Sequence, residues 1–265
     1  MATTLVNRTA SLAQPPAHTT VIAPFSKSRR ISVHPVSRDA DDLPAGAGSA
    51  AAARRPEAPR NINVVEHPIA LHALAALRNS ETAPEMFRAC CSQLLLLLAV
   101  ESTRTLPMRE SSLDGLSGNE RAQALGKPVI LLSVTRHGLG LAHKVADFVP
   151  NLSVGLINLG KPSNDGIMEP RLHLVNAPAL SDARVLLFNP VVATGMSTSV
   201  ALNLLRSSGA EDVTLLSFLT SAAGLDRVLR VLPGLIVWTT SVDSGWDSKH
   251  NSLPNLGNFG ERLYG

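Results

Sequence analysis

Residues able to do chemistry gather at Ala193-Thr194-Gly195-Met196-Ser197-Thr198-Ser199, just after the apolar run Val185 to Phe188 and the dipeptide Asn189-Pro190. Beyond Ser199 the apolar residues return at helical spacing. Strand, loop and helix N-terminus together can hold a phosphate. The first N–H groups of a helix lack intrahelical partners and lie at the positive end of its dipole. Thr194, Ser197, Thr198 and Ser199 add hydroxyl donors beside those amides, and Gly195 lets the backbone come close. The same residues suit a plain capped helix behind a buried strand, because Ser and Thr are ordinary N-caps. Spacing alone leaves both readings open.

A second loop, Thr135-Arg136-His137-Gly138-Leu139-Gly140, follows the apolar run Val129 to Val134. Open α/β sheets collect ligands at the carboxyl ends of their strands. A guanidinium there can grip phosphate oxygens through paired donors, a contact that lysine does not reproduce. His137 is a lone histidine in a loop and is given no role.

The elements that must position these loops alternate in type. Ile69, Leu71, Leu74 and Leu77 predict a short helix with Pro68 in its first turn. Thr82-Ala83-Pro84-Glu85 reads as a capping box, with Thr82 as cap, opening a helix from about Pro84 to Thr103. Its Phe87, Cys90, Leu94, Leu97 and Leu98 form a broad apolar face. Met108 to Lys127 is polar and broken by glycine, and reads as an irregular connection. The strand Val129 to Val134, a helix ending before Pro150 and the strand Ser153 to Asn158 make a parallel crossover unit. Between Leu159 and Pro178, turn residues at Pro162 to Gly166 suit a two-stranded arm. Gly209 is a helix stop, Asp212 to Leu219 a strand, Gly224 to Leu232 a helix and Leu235 to Val242 a strand. From Asp243 on, turn residues are too many for a helix. The pattern predicts an α/β fold, a mostly parallel sheet with helices on both faces.

At 265 residues the chain can hold a domain of about 200 residues plus a tail. The net charge of +3, with neither a basic helix nor interleaved aromatics, does not support nucleic-acid binding. Leu94 to Val100, the longest apolar run, falls far short of the ~20 residues of a membrane span and reads as a buried helix segment. Adjacent Cys90 and Cys91 cannot staple a domain and lack metal-ligand spacing, so a reducing compartment is the natural reading. Met1 to Arg38 has no Asp or Glu, and carries Arg8, Lys27, Arg29, Arg30 and Arg38 among Ser, Thr, Ala and Pro. That composition fits an organellar transit peptide, for plastid or mitochondrion, and equally an untargeted disordered extension of a cytoplasmic protein. No apolar stretch follows the start, which disfavours a secretory signal. With Asp39 to Arg60 as linker, residues 1–62 form the extension and 63–265 the domain.

The central loop, from Asn189-Pro190 to Ala193-Thr194-Gly195-Met196-Ser197, resembles the phosphoribosyl-diphosphate loop of uracil phosphoribosyltransferases, Asp-Pro-Met-Leu-Ala-Thr-Gly-Gly-Ser in that family. The resemblance covers about Val64 to Gly265 with motifs in order. His67-Pro68, Phe87-Arg88 and Glu101-Ser102-Thr103-Arg104 resemble the family's opening, and Thr135 to Gly140 its Leu-Arg-Ala-Gly-Leu-Gly. Met168-Glu169-Pro170 resembles its Leu-Glu-Pro, and Leu253 to Arg262 its Val-Pro-Gly-Leu-Gly-Asp-Phe-Gly-Asp-Arg. Arg78, Arg88 and Arg104 are most cheaply read as solvated or paired.

The resemblance implies a phosphoribosyltransferase-type fold with N-terminal helices and a β-arm hood. It implies that uracil displaces diphosphate from 5-phosphoribosyl 1-diphosphate to give UMP, with Mg2+ on the diphosphate. It also implies a dimer or tetramer and a GTP effector. Arg136 would bind the diphosphate, and Lys161 stands one residue from the place of the hood's arginine. Asn189, Pro190, Ala193, Thr194, Gly195, Met196, Ser197 and Thr198 would hold the sugar phosphate, with Asn189 and Arg136 as the catalytic candidates. Ser252, Gly257, Asn258 and Phe259 would read the base through the backbone, Asn258 standing where the family turns an Asp toward the sugar donor.

Asn189 and Asn258 thus replace two family carboxylates, and Met196 replaces a glycine. Positive charge builds on the ribose as diphosphate leaves, and a fixed carboxylate favours that charge whereas an amide brings none. Two expectations follow: a working, divergent phosphoribosyltransferase, or a non-catalytic nucleotide-binding relative that regulates or scaffolds an active partner.

Overall fold

All five residues of the run Val129–Ser133 are buried, which requires cover on both faces of the sheet that holds it. The computed structural model, which describes residues 61–115, 118–149, 151–160, 170–243, 245–246, 252–253 and 256–264, supplies that cover. The first half of the chain forms β1 (Ile62–Val64), α1 (Pro68–Arg78), α2 (Pro84–Thr103), β2 (Met108–Gly115), β3 (Gly118–Leu125), β4 (Val129–Ser133), α3 (Arg136–Ala146), β5 (Ser153–Asn158) and β6 (Arg171–Leu174). The second half forms β7 (Arg184–Phe188), β8 (Val191–Val192), α4 (Met196–Ser207), β9 (Asp212–Ser221), α5 (Ala222–Val231), β10 (Ile236–Asp243), β11 (Gly245–Trp246), β12 (Ser252–Leu253) and α6 (Phe259–Tyr264).

The main sheet runs β1-β10-β9-β7-β4-β5-β6, with β8 also on β9. Every pairing in it is parallel except β5 with β6. Alternate residues feed two cores, as the two-residue period of a strand requires. Val129, Leu131, Leu186 and Phe188 face α1, α2, α3 and α6, whereas Ile130, Leu132, Val185 and Leu187 face α4 and α5. The α/β architecture read from the sequence is thus the one formed.

Four local readings change. The predicted capping box does not form: Ala83 is the N-cap of α2 with no side-chain bond, and the Thr82 hydroxyl donates to Ala76 O at 2.6 Å instead. Within α2, Leu97 is half-buried, and Cys91, Leu95 and Ala99 complete the inward face. Within Met108 to Lys127, read as irregular, residues 108–115 and 118–125 pair antiparallel as β2 and β3, with Met108 opposite Leu125. Their pairing rests on the backbone ladder, so no apolar alternation marked it. The C-terminal segment contains α6, a six-residue helix made possible by a capping side chain described below.

Of the two-stranded arm, residues 161–169 and hence Lys161 lie outside the described residues. Its flanks, β5 and β6, do pair antiparallel, with Asn158 opposite Arg171. The extension at 1–60 is likewise outside the described residues. Each of the three arginines of the opening has a partner: Arg78 with Asp243 (2.9 Å), Arg88 with Leu263 O (3.0 Å) and Arg104 with Glu101 (2.8 Å).

Cys90 and Cys91 are 4% and 0% exposed, and burial pushes both thiols above their ordinary range. They remain protonated at neutral pH, and the thiolate is the reactive form. Neither is expected to be modified by a disulfide thiol reagent in the native state, and both should react after denaturation. Mass spectrometry of the treated protein checks this, and one modified thiol per native chain would contradict the packing.

Candidate functional site

Asn189-Pro190 ends the apolar run of β7, yet the chain keeps its partner strand. Asn189 N–H donates to Leu216 O (3.0 Å), Phe218 N–H donates to Pro190 O (3.0 Å), and β8 then resumes pairing with β9. Asn189 is 7% exposed and its Nδ2 donates to Thr198 Oγ1 at 2.9 Å, with Thr198 wholly buried. The hydroxyl of Thr198, expected at the sugar phosphate, therefore faces inward to Asn189. Thr194 stays exposed and Ser197 half-buried.

Gly195 is the N-cap of α4 at φ +71°, in the left-handed region that favours glycine. A Cβ there would lie 2.6 Å from Gly224 O. Thr194 Oγ1 accepts from Met196 N–H at 3.3 Å. Ser221 ties the loop down: its Oγ donates to Ala193 O (2.6 Å) and accepts from Gly224 N–H (2.9 Å) as the N-cap of α5. Met196 is exposed, and its Sδ lies 3.6 Å from Arg227 Nη1.

β4 lies beside β7 with Ser133 level with Phe188, and Val134 N–H donates to Phe188 O (2.9 Å). The Arg136 and Asn189 loops are consequently neighbours at the carboxyl ends of parallel strands. Arg136 is the first residue of α3, whose N-cap Thr135 accepts from Gly138 N–H through Oγ1 (3.1 Å). It is exposed and enters no ion pair among the described residues.

The third segment begins at Gly257, at φ +70°. Asn258 Oδ1 accepts from Gly260 N–H (3.2 Å) and Glu261 N–H (3.4 Å), so its side chain caps α6. The side chain expected to turn toward the sugar donor is committed to a helix instead. The Phe259 ring packs against Phe87 (5.6 Å) and Phe218 (6.2 Å). Only backbone pairing, with Trp246, is described for Ser252.

α6 docks on α3 through His137, a residue assigned no role from the sequence. Tyr264 Oη donates to His137 O (3.3 Å), and a Cβ on Gly260 would come within 2.7 Å of the His137 ring. Arg262 fastens the same segment: Nη1 donates to Leu77 O and Leu256 O, Nη2 to Asn79 O, and the guanidinium lies 4.3 Å from the Phe87 ring centroid. Sequence reasoning also missed Ser221, Gly224 and Arg227. The N-cap spacing of Ser221 before Gly224 was the one signal in that stretch.

A cavity of about 940 Å³ lies elsewhere, between the base of the hairpin and the amino end of β4, lined by Arg109, Leu125, Lys127 and Phe148 among others. None of the residues nominated from the sequence lines it. Among the described residues no cluster of His, Cys, Asp or Glu could hold a metal ion.

Residues 64–265 match the family model for uracil phosphoribosyltransferase. The uracil phosphoribosyltransferases of Thermosipho melanesiensis and of Thermus thermophilus are each 31% identical over 205 residues, covering 77% of this chain and 98% of theirs. The solved structure of the AQ2163 protein from Aquifex aeolicus is similar in fold. It has a TM-score of 0.69 at 24% identity, over 77% of this chain and 97% of that one.

Proposed function

Because the chain belongs to the uracil phosphoribosyltransferase family, we propose that it transfers the phosphoribosyl group of 5-phosphoribosyl 1-diphosphate to uracil, giving UMP and diphosphate. The observation that carries this reading is the seating of Ala193 to Gly195. Ser221 and Gly224 hold this turn so that α4 opens directly behind it, with exposed Thr194 at its rim and the Arg136 loop alongside.

In this reading the first amides of α4 and Thr194 hold the 5′-phosphate, Arg136 holds the diphosphate, and the backbone of residues 257–259 holds the base. The bond from ribose C1 to diphosphate breaks as the bond from uracil N1 to C1 forms, the electron pair leaves with diphosphate, and the N1 proton passes to water. Positioning and charge do most of the work, since no covalent nucleophile is required. Magnesium would enter on the diphosphate and neutralise part of its charge.

A second reading, a UMP-binding relative that does not turn over, is favoured by what the two asparagines do. Asn189 Nδ2 is spent on Thr198 and Asn258 Oδ1 on α6, and an amide carries no charge in any case, so the ribose meets no carboxylate from either. Loss of one positioned electrostatic contact lowers a rate by about a hundredfold or more.

Calorimetry with UMP and conversion of labelled uracil with excess donor and Mg2+ test both. UMP is expected to bind, and the wild-type protein to turn over slowly. The Asn189→Asp, Asn258→Asp variant should be at least about tenfold faster. Turnover seen only in that variant would establish the second reading, and robust wild-type turnover would exclude it. No binding of UMP at millimolar concentration would sink both.

A further inference from the structure

We propose that Arg227 is a phosphate-binding residue of this site, bringing a guanidinium from α5 to the N-terminus of α4. The inference rests on the phosphate reading of that loop. A Cβ added to Gly195 would lie 3.3 Å from Arg227 Cβ, so this side chain leaves α5 directly beside the left-handed turn. Its Nη1 reaches 3.6 Å from the sulfur of Met196, the first residue of α4, so the guanidinium has already crossed to that helix end. Arg227 is exposed and enters no ion pair among the described residues, while its neighbour Asp226 is held by Arg230.

Electrostatics gives this placement a direction. The N-terminus of a helix is its positive end, and a cation parked there is disfavoured until an anion arrives. A thioether is a weak acceptor and holds the guanidinium loosely. A phosphate dianion on the α4 amides reverses the sign, offering Arg227 charge-assisted bonds within reach of its present position. In the first turn of the same helix, Ser199 is 8% exposed and its Oγ has no hydrogen-bond partner among the described residues. Met196, a departure from the family's loop, becomes the rest on which the guanidinium waits.

The test titrates the full chain and its Arg227→Ala and Arg227→Lys variants with UMP, ribose 5-phosphate and uridine by calorimetry. Arg227→Ala should weaken UMP and ribose 5-phosphate by about ten- to a hundredfold, the range for a hydrogen bond to a charged group, and leave uridine unchanged. Its phosphate affinity should depend less on salt, and Arg227→Lys should retain part of the loss as a point charge. Unchanged binding of UMP and ribose 5-phosphate by Arg227→Ala would overturn the inference, as would an equal loss for uridine. Wild-type protein that binds ribose 5-phosphate but not UMP would sink the proposed function while leaving the phosphate reading of the loop, with Arg227 then judged on ribose 5-phosphate. Binding of none of the three by wild type would overturn both.

Discussion

Arg262→Ala is expected to lower the stability of the fold by about 3 kcal/mol and to weaken binding of the base more than binding of the phosphate. The guanidinium donates to three carbonyls, two of them at the end of α1, where the last C=O groups of a helix lack intrahelical N–H donors. A cation at a helix C-terminus also meets the negative end of the dipole. Burial lowers the pKa of Arg262 from its ordinary value, yet the group stays charged at neutral pH and lies over the Phe87 ring.

Truncation leaves those carbonyls without their donor and frees residues 256–262 from the helical layer. Arg262→Lys should recover a minor part, because one ammonium cannot span Leu256 O and the end of α1 together. Urea unfolding measures the first effect, and UMP against ribose 5-phosphate affinity the second. A loss below about 1 kcal/mol would show that Arg88 and the Phe259 contacts hold the segment without it.

The sheet was legible because its strands are apolar runs bounded by turn residues. Val129–Ser133 and Arg184–Phe188 are buried on both faces and could be little else. The hairpin β2–β3 was not legible, since most of its residues are polar and no alternating apolar run marks either strand, with Met108 opposite Leu125 at its base. α6 was hidden for a related reason: Asn258, Gly260 and the preceding glycine look like a loop until the Asn258 side chain is seen capping the helix.

At the site, Thr194 to Ser199 could be read as strand end, loop and helix start. What the two asparagines face could not. Spacing places a residue on a helix or in a turn, but the bond between Asn189 and Thr198 depends on how α4 leans on β7. The contributions of Ser221, Gly224 and Arg227 come from the end of β9 and from α5, far along the chain and adjacent only in space.

Gly224→Ala is expected to weaken UMP by about a hundredfold, the scale of a displaced binding loop, and to lower stability by about 2 kcal/mol. The sign is informative, because a glycine in the first turn of a helix should gain up to about 1 kcal/mol on replacement by alanine. Here a Cβ would meet Ala193 O at 2.5 Å and Val192 O at 2.7 Å. Both are backbone atoms with no rotamer to give way, so either the 192–195 loop shifts or α5 does. The loop is the smaller unit, and Ser221 ties it to the same helix end, so it moves and takes the first turn of α4 with it. Ser221→Ala removes that tie without adding bulk and should weaken UMP less. Urea unfolding and calorimetry on both variants separate the effects. If Gly224→Ala were neutral or stabilising with UMP binding intact, the close seat of Ala193 to Gly195 on α5 would not be what holds the phosphate loop in place.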